Sequence, residues 1–214
     1  AEALGIPCLV AGTHLFESGL PTVQEDGEQG AALAVRHLLE NGHRRIGLWL
    51  CQAPAVWVHQ RHNGFMRELE AHGIAPDERR VLWTPYAPVS DVTSRSQLAH
   101  VDRFLDYLKA LRPTALVVGS SGQHTRTLGE AVRRGKIRIP EELSLIFLDQ
   151  HYEDYAHFLH RRPTVVALPL VETGRTLARL AAAAYRAKTG GEAAPPQLST
   201  LPCTLVEGDS VAKR

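Results

Sequence analysis

An α/β fold built on parallel sheets is what this sequence predicts, and three observations carry the prediction. Short apolar runs alternate with segments of helical period along the whole chain. The runs from Ile46 to Leu50, Thr114 to Val118 and Leu143 to Leu148 are almost continuously apolar, without the in-out alternation of a half-solvated strand. The joints between helices and strands are short. In His37-Leu38-Leu39-Glu40-Asn41-Gly42-His43-Arg44-Arg45-Ile46-Gly47-Leu48 an amphipathic helix runs into Gly42 and a buried strand begins four residues later. Strand and helix alternating this tightly put parallel strands side by side with helices covering them.

The elements follow in order. Pro7 to Ala11 reads as a buried strand after a helix end at Gly5. Asp26 caps a helix to Asn41, with Ala31, Val35, Leu38 and Leu39 on one face. After the strand at Ile46, a helix spans Val58 to His72 and stops at Gly73 and Pro76. Arg80 to Trp83 is a short strand, and Thr84 to Thr93, with two prolines and no period, is a loop. Val101, Phe104, Leu105, Leu108 and Leu111 form the apolar stripe of a helix from Gln97 to Leu111, which Pro113 ends. Thr114 to Val118 is a strand, and Ser120 or Ser121 caps the helix that continues to Gly135. Leu143 to Leu148 and Val165 to Leu168 are further strands. An alanine-rich helix runs from Val171 to Lys188 and closes at Gly190-Gly191. Ala193-Ala194-Pro195-Pro196 is a linker to two extended pieces around Pro202.

The 214 residues are 44% hydrophobic and 22% charged, the balance of a soluble globular chain with room for two lobes. A net charge of +1 argues against a broad nucleic-acid footprint on this chain itself, and the short basic clusters read as solvated loop charge. No apolar run reaches the length of about 18 residues that a membrane helix needs. The start shows no signal-peptide pattern. Cys8, Cys51 and Cys203 are far apart, without metal-ligand spacing, and read as buried small hydrophobes of a reduced, cytoplasmic protein. Gly119-Ser120-Ser121-Gly122 misplaces a glycine for a nucleophile elbow, and no phosphate-binding glycine loop occurs. His151, His157 and His160 do not follow a zinc spacing. No catalytic residue, metal or cofactor is expected.

Eight short motifs in one collinear order resemble the effector-binding domain of the LacI/GalR family of bacterial transcription repressors. They are Gly5-Ile6-Pro7, Asp26-Gly27-Glu28-Gln29-Gly30, Gly42-His43-Arg44-Arg45-Ile46, Arg61-His62-Asn63-Gly64-Phe65, Arg112-Pro113-Thr114-Ala115, Ile139-Pro140-Glu141-Glu142-Leu143-Ser144-Leu145, Asp149 after its strand, and Thr164 to Pro169 with Gly174 beyond it. The resemblance implies two Rossmann-like lobes of the periplasmic-binding-protein type, the first of them incomplete here. It implies residues 1–51 with 168–198 in the N-terminal lobe, and 52–167 with 199–214 in the C-terminal lobe. Chain crossings are expected near Cys51–Ala55, Ala167–Pro169 and Leu198–Pro202. The missing first strands, and a DNA-binding head of the LacI or GntR type, are expected in the full protein.

On this reading Asp149, directly after a strand, accepts hydrogen bonds from sugar hydroxyls; its alternative is to cap the next turn. Arg61 offers a rigid fork of donors to vicinal hydroxyls or a carboxylate, against the alternative of a surface arginine. Trp57, four residues earlier, stacks on a sugar face or belongs to the core. Gln123 and His124 stand where the family has an Asn-Asp pair, and Leu168 where it has glutamine, so the ligand is an unusual sugar or another small polar molecule. Asp26 lies at the mouth of the family's cleft, with N-capping as its principal role. The implied partners are a small-molecule effector, a second copy in a homodimer, and DNA through a head absent from this chain; no membrane is involved. An extracytoplasmic sugar-binding protein of a transport system is the alternative.

Overall fold

The computed structural model describes residues 6–12, 19–85, 94–119, 123–148, 156, 159–190 and 193–214, with the backbone alone described for 94–99 and 123. The apolar runs form strands and the periodic segments form helices. The order is β1 (Val10–Ala11), β2 (Thr22–Glu25), α1 (Gly27–Glu40), β3 (Ile46–Gln52), α2 (Val56–Ala71), β4 (Val81–Pro85), α3 (Ser94–Leu111), β5 (Ala115–Val118) and α4 (Gln123–Arg133). Then come β6 (Ser144–Leu148), β7 (Thr164–Ala167), α5 (Leu170–Gly190), β8 (Leu198–Leu201) and β9 (Thr204–Val206).

Two sheets result. The larger has the order β4-β3-β5-β6-β7-β9, parallel throughout except for the antiparallel β7–β9 pair. The smaller has the order β1-β2-β8 and is parallel. Mostly parallel sheets with covering helices are the α/β architecture read from the sequence. Strand register explains why β3 is apolar at nearly every position. Ile46, Leu48 and Leu50 face the layer of α1 and α2, where Ala31, Val35, Leu38, Phe65 and Leu69 pack on them. Trp49 faces the opposite layer, against Phe104 of α3 and Leu128 of α4. Burying each such leucine or phenylalanine contributes about 1.5–3 kcal/mol, and both faces of the sheet collect it.

The division of the chain between the sheets differs from the expectation. Residues up to 51 were assigned to the N-terminal lobe, yet β3 sits between β4 and β5 in the larger sheet, and α1 packs on α2 and the same core. The first passage between sheets is therefore at 25–27, not 51–55. The physical reason is β2, a strand the sequence conceals: Thr22–Glu25 is short and polar, with Val23 alone fully buried. The other two passages lie at 167–170 and 201–204, and β8 keeps residues 199–201 in the smaller sheet rather than with the C-terminal lobe.

The Gly42-His43 joint explains its own residues. Gly42 ends α1 at φ +85°, in the left-handed region where a side chain is strained. The backbone there also accommodates the chain end: Arg214 donates its N–H to Asn41 O at 2.9 Å, and a Cβ on Gly42 would collide with the Arg214 carbonyl. His43 is fully buried, with Nδ1 2.9 Å from Thr114 Oγ1 and Nε2 2.9 Å from Ala212 O. The Ala212 carbonyl only accepts, so Nε2 carries the proton and the neutral ring takes the Thr114 hydroxyl at Nδ1. Burial, with further repulsion from Arg214 and His37, holds its pKa below the usual histidine value.

A depressed histidine pKa means that the unfolded chain takes up the proton first. Stability from this site is present above about pH 6.5 and is lost as pH falls below it, at no more than about 1.4 kcal/mol per pH unit. We expect urea midpoints to fall between pH 7.5 and 5.5 in the wild type and to fall less steeply in H43Q. Parallel slopes would count against this assignment.

Candidate functional site

In parallel α/β sheets the carboxyl ends of strands are where ligands collect. Here the carboxyl end of β2 supplies Glu25, that of β3 Gln52, that of β5 Gly119 and that of β6 Leu148, with Asp149 next in the chain. Arg61 brings two of these ends together. It projects from α2, is only 5% exposed, and donates from Nη1 to the Gly119 carbonyl at 2.6 Å. Its Nη2 lies 3.8 Å from Glu25 Oε1. Glu25 belongs to the smaller sheet and Gly119 follows a strand of the larger, so one guanidinium spans both. Trp57, one turn earlier, places its ring 4.8 Å from the Arg61 guanidinium carbon. The face of the indole that touches Arg61 serves as a cation–π platform, and the rest of the ring packs on the core.

The close approach of α2 to α1 sets this position. Gly64 lies against the backbone of Glu28, and Gly27 against the side chain of Gln60. With no Cβ between them, α2 sits low enough over α1 for Arg61 to reach Glu25. Asp26 caps α1, accepting the Gln29 N–H on Oδ1 at 2.9 Å, as the sequence predicted.

His124 is placed differently from the expectation. Rather than offering a donor to open space, it is 1% exposed, stacks on Trp49 at 4.3 Å, and lies 2.8 Å by Nε2 from Thr84 Oγ1. The same hydroxyl takes the Trp49 indole N–H at 3.3 Å and reaches Leu50 O at 3.3 Å. In the low dielectric of the core the contact of the imidazole with the Thr84 hydroxyl is electrostatically stronger than it would be in water. The ring lies in the core beside Trp49 of β3 and Thr84 of β4. The other expected residues divide as follows. Arg61 and Trp57 are together, Gln123 begins α4 with only its backbone described, and Asp149 lies outside the described residues. Leu168 packs against the core. Glu25 was missed, since nothing in Thr-Val-Gln-Glu marks a carboxylate that meets an arginine 36 positions on.

Other chemistry is weak here. Burial pushes the Cys203 thiol up to about 11, so it stays protonated and donates to Asp26 O at 3.5 Å. Among the described residues no group of three His, Cys, Asp or Glu is placed to hold a metal ion. None of the described helices is long and apolar enough to cross a membrane.

Residues 35–211 match the periplasmic binding protein-like domain family. The HTH-type transcriptional repressor CytR of Escherichia coli (strain K12) is 31% identical over 169 residues, covering 79% of this chain and 46% of CytR. The arabinose metabolism transcriptional repressor of Geobacillus stearothermophilus is 28% identical over 171 residues, covering 80% of this chain and 45% of the repressor. The chain thus spans about half the length of these relatives. Among solved structures, a transcriptional regulator CelR–cellobiose complex aligns with a TM-score of 0.74 at 25% identity, over 96% of this chain and 59% of that one. The transcription regulator CcpA of Lactococcus lactis shares the fold, with a TM-score of 0.76 at 18% identity over 98% of this chain and 71% of its own. The chain belongs to the periplasmic binding protein-like domain family, and the relatives named here are repressors or regulators of transcription.

Proposed function

We propose that this chain is the effector-binding domain of a cytoplasmic, DNA-binding transcriptional repressor that senses a sugar or a similar small polar ligand. The observation that carries it is Arg61, buried at the carboxyl ends of the strands, hydrogen-bonded to the Gly119 carbonyl beyond a strand of the larger sheet and ion-paired with Glu25 of the smaller. A ligand reaching this guanidinium touches a side chain whose contacts depend on how the sheets are set against each other. The smaller sheet with α5 forms one lobe, and the larger sheet with α1 to α4 the other. An effector changes their angle by binding one arrangement more tightly than the other, and only that difference is passed on to DNA affinity. DNA is reached through a head outside this chain, and a homodimer aligns two heads on a two-fold operator. A relative in structure carries cellobiose, which supports the saccharide class. Asp149 is the acceptor for ligand hydroxyls, Arg61 the donor, and Trp57 and the Gln123 end of α4 line the sides.

A thermal-shift panel of mono- and disaccharides tests this. A true effector raises the melting temperature with concentration, reaching about 2.7 kcal/mol of added stability at a hundred times its Kd. Calorimetry of that saccharide on D149A is expected to show binding weakened at least about tenfold, the loss of one charge-assisted hydrogen bond. Silence across the panel at millimolar sugar overturns the saccharide assignment. Undiminished affinity in D149A removes Asp149 from the site.

A further inference from the structure

Three passages join the sheets, and two of them lie against each other. Asp26, in the first, donates its N–H to Leu201 O at 2.8 Å, where the last passage begins. Gln29, one turn into α1, then grips the middle of that passage with both ends of its amide. Its Oε1 accepts the Cys203 N–H at 2.9 Å, and its Nε2 donates to Cys203 O at 3.3 Å. A side-chain amide bonded twice to one residue's backbone imitates the paired bonds that two strands exchange. Leu201 ends β8 in the smaller sheet and Thr204 begins β9 in the larger, so Cys203 sits where the chain changes sheets. The contact is close as well as polar: a Cβ on Gly30 would lie 3.1 Å from Cys203 Sγ.

We propose that Gln29 is the positioning residue of the hinge: its amide clamps the Pro202–Cys203 passage to α1 and so sets the angle between the two sheets before any ligand arrives. This rests on the reading of the sheets as lobes that reorient. Rotation of the smaller sheet about 25–27 must twist the 201–204 passage, and the clamp resists that twist at its centre. The clamp needs one donor and one acceptor. Glutamine supplies both; a carboxylate supplies acceptors alone and repels the Cys203 carbonyl; a protonated carboxyl group again supplies both.

The test uses no ligand, so its failure is distinct from a failure to find an effector. Spin labels at K136C, beyond α4, and K188C, on α5, report the distance between the lobes in a C8S background. Q29A and, at neutral pH, Q29E are expected to broaden the distance distribution, and the Cys203 amide to exchange about tenfold faster than in the wild type. Acidification through the carboxyl range, from about pH 6 to 4, is expected to narrow the Q29E distribution reversibly while leaving Q29A broad. A side chain of merely structural value would lower the melting temperature without this recovery. Distributions equal to wild type in both variants, or no recovery of Q29E in acid, overturn the proposal.

Discussion

Replacing Gly64 by alanine destabilises this chain by about 2 kcal/mol, although alanine is the better helix former. Propensity alone predicts a gain of about 1 kcal/mol for a glycine inside a helix. The opposing effect is steric. A Cβ on Gly64 would stand 2.7 Å from Glu28 Cα and 2.8 Å from its carbonyl carbon, where carbon contacts settle at about 3.5–4.0 Å. The colliding atoms are backbone, so no rotamer change relieves them. Separating α1 and α2 is the remaining response, and it loosens Phe65 and Leu69 on Leu38. Overpacking of this kind costs about 1–3 kcal/mol, and an unyielding backbone puts Gly64 at the upper end. Gly174 in α5 is the control. It is also helical, but nothing lies within 4 Å of its Cβ position, so G174A is expected to stabilise by up to about 1 kcal/mol. Urea unfolding of the two variants decides the matter by sign. A stabilised G64A would mean that α2 does not rest on α1 as described.

Much of the fold is readable from residues because burial on two faces leaves a strong mark. β3, β5 and β6 are apolar at nearly every position, and their helices carry clear stripes. What stays hidden is pairing. Parallel partners lie a whole helix apart in sequence, so nothing in Ile-Gly-Leu-Trp-Leu says which sheet takes it. β2 adds to this: with a single fully buried residue it leaves no periodic signal, and the first passage is displaced by some two dozen positions as a result. The site shows the same limit. Arg61 and Trp57 stand out as a cation and an aromatic one turn apart. Their anchors, the Gly119 carbonyl and the Glu25 carboxylate, are a main-chain atom and an unremarkable acid. His124 is legible as a polar residue at a helix start, a description that fits a ligand contact and a core hydrogen bond equally well.

Loss of the guanidinium at position 61 is expected to be costly twice over. R61M keeps most of the apolar stem beside Trp57 but leaves the Gly119 carbonyl without its 2.6 Å donor and Glu25 without its nearby cation. Removing one partner from a buried polar arrangement leaves the others desolvated and unanswered. A buried acceptor without its donor costs about 1–3 kcal/mol, and the weakened charge pairing adds to it. We expect R61M to lose about 2–4 kcal/mol in urea unfolding. R61K separates charge from geometry. An ammonium on a shorter stem satisfies one of the two oxygens, so R61K recovers part of the stability but not the span between the sheets. Effector binding discriminates further. If Arg61 both joins the sheets and receives the ligand, then the melting-temperature shift produced by a saccharide in the wild type disappears in R61M and stays small in R61K, well below their own melting points. If it is a strut alone, both variants bind with wild-type affinity once folded, and the donor to the ligand must be sought elsewhere along the carboxyl ends of β3, β5 and β6.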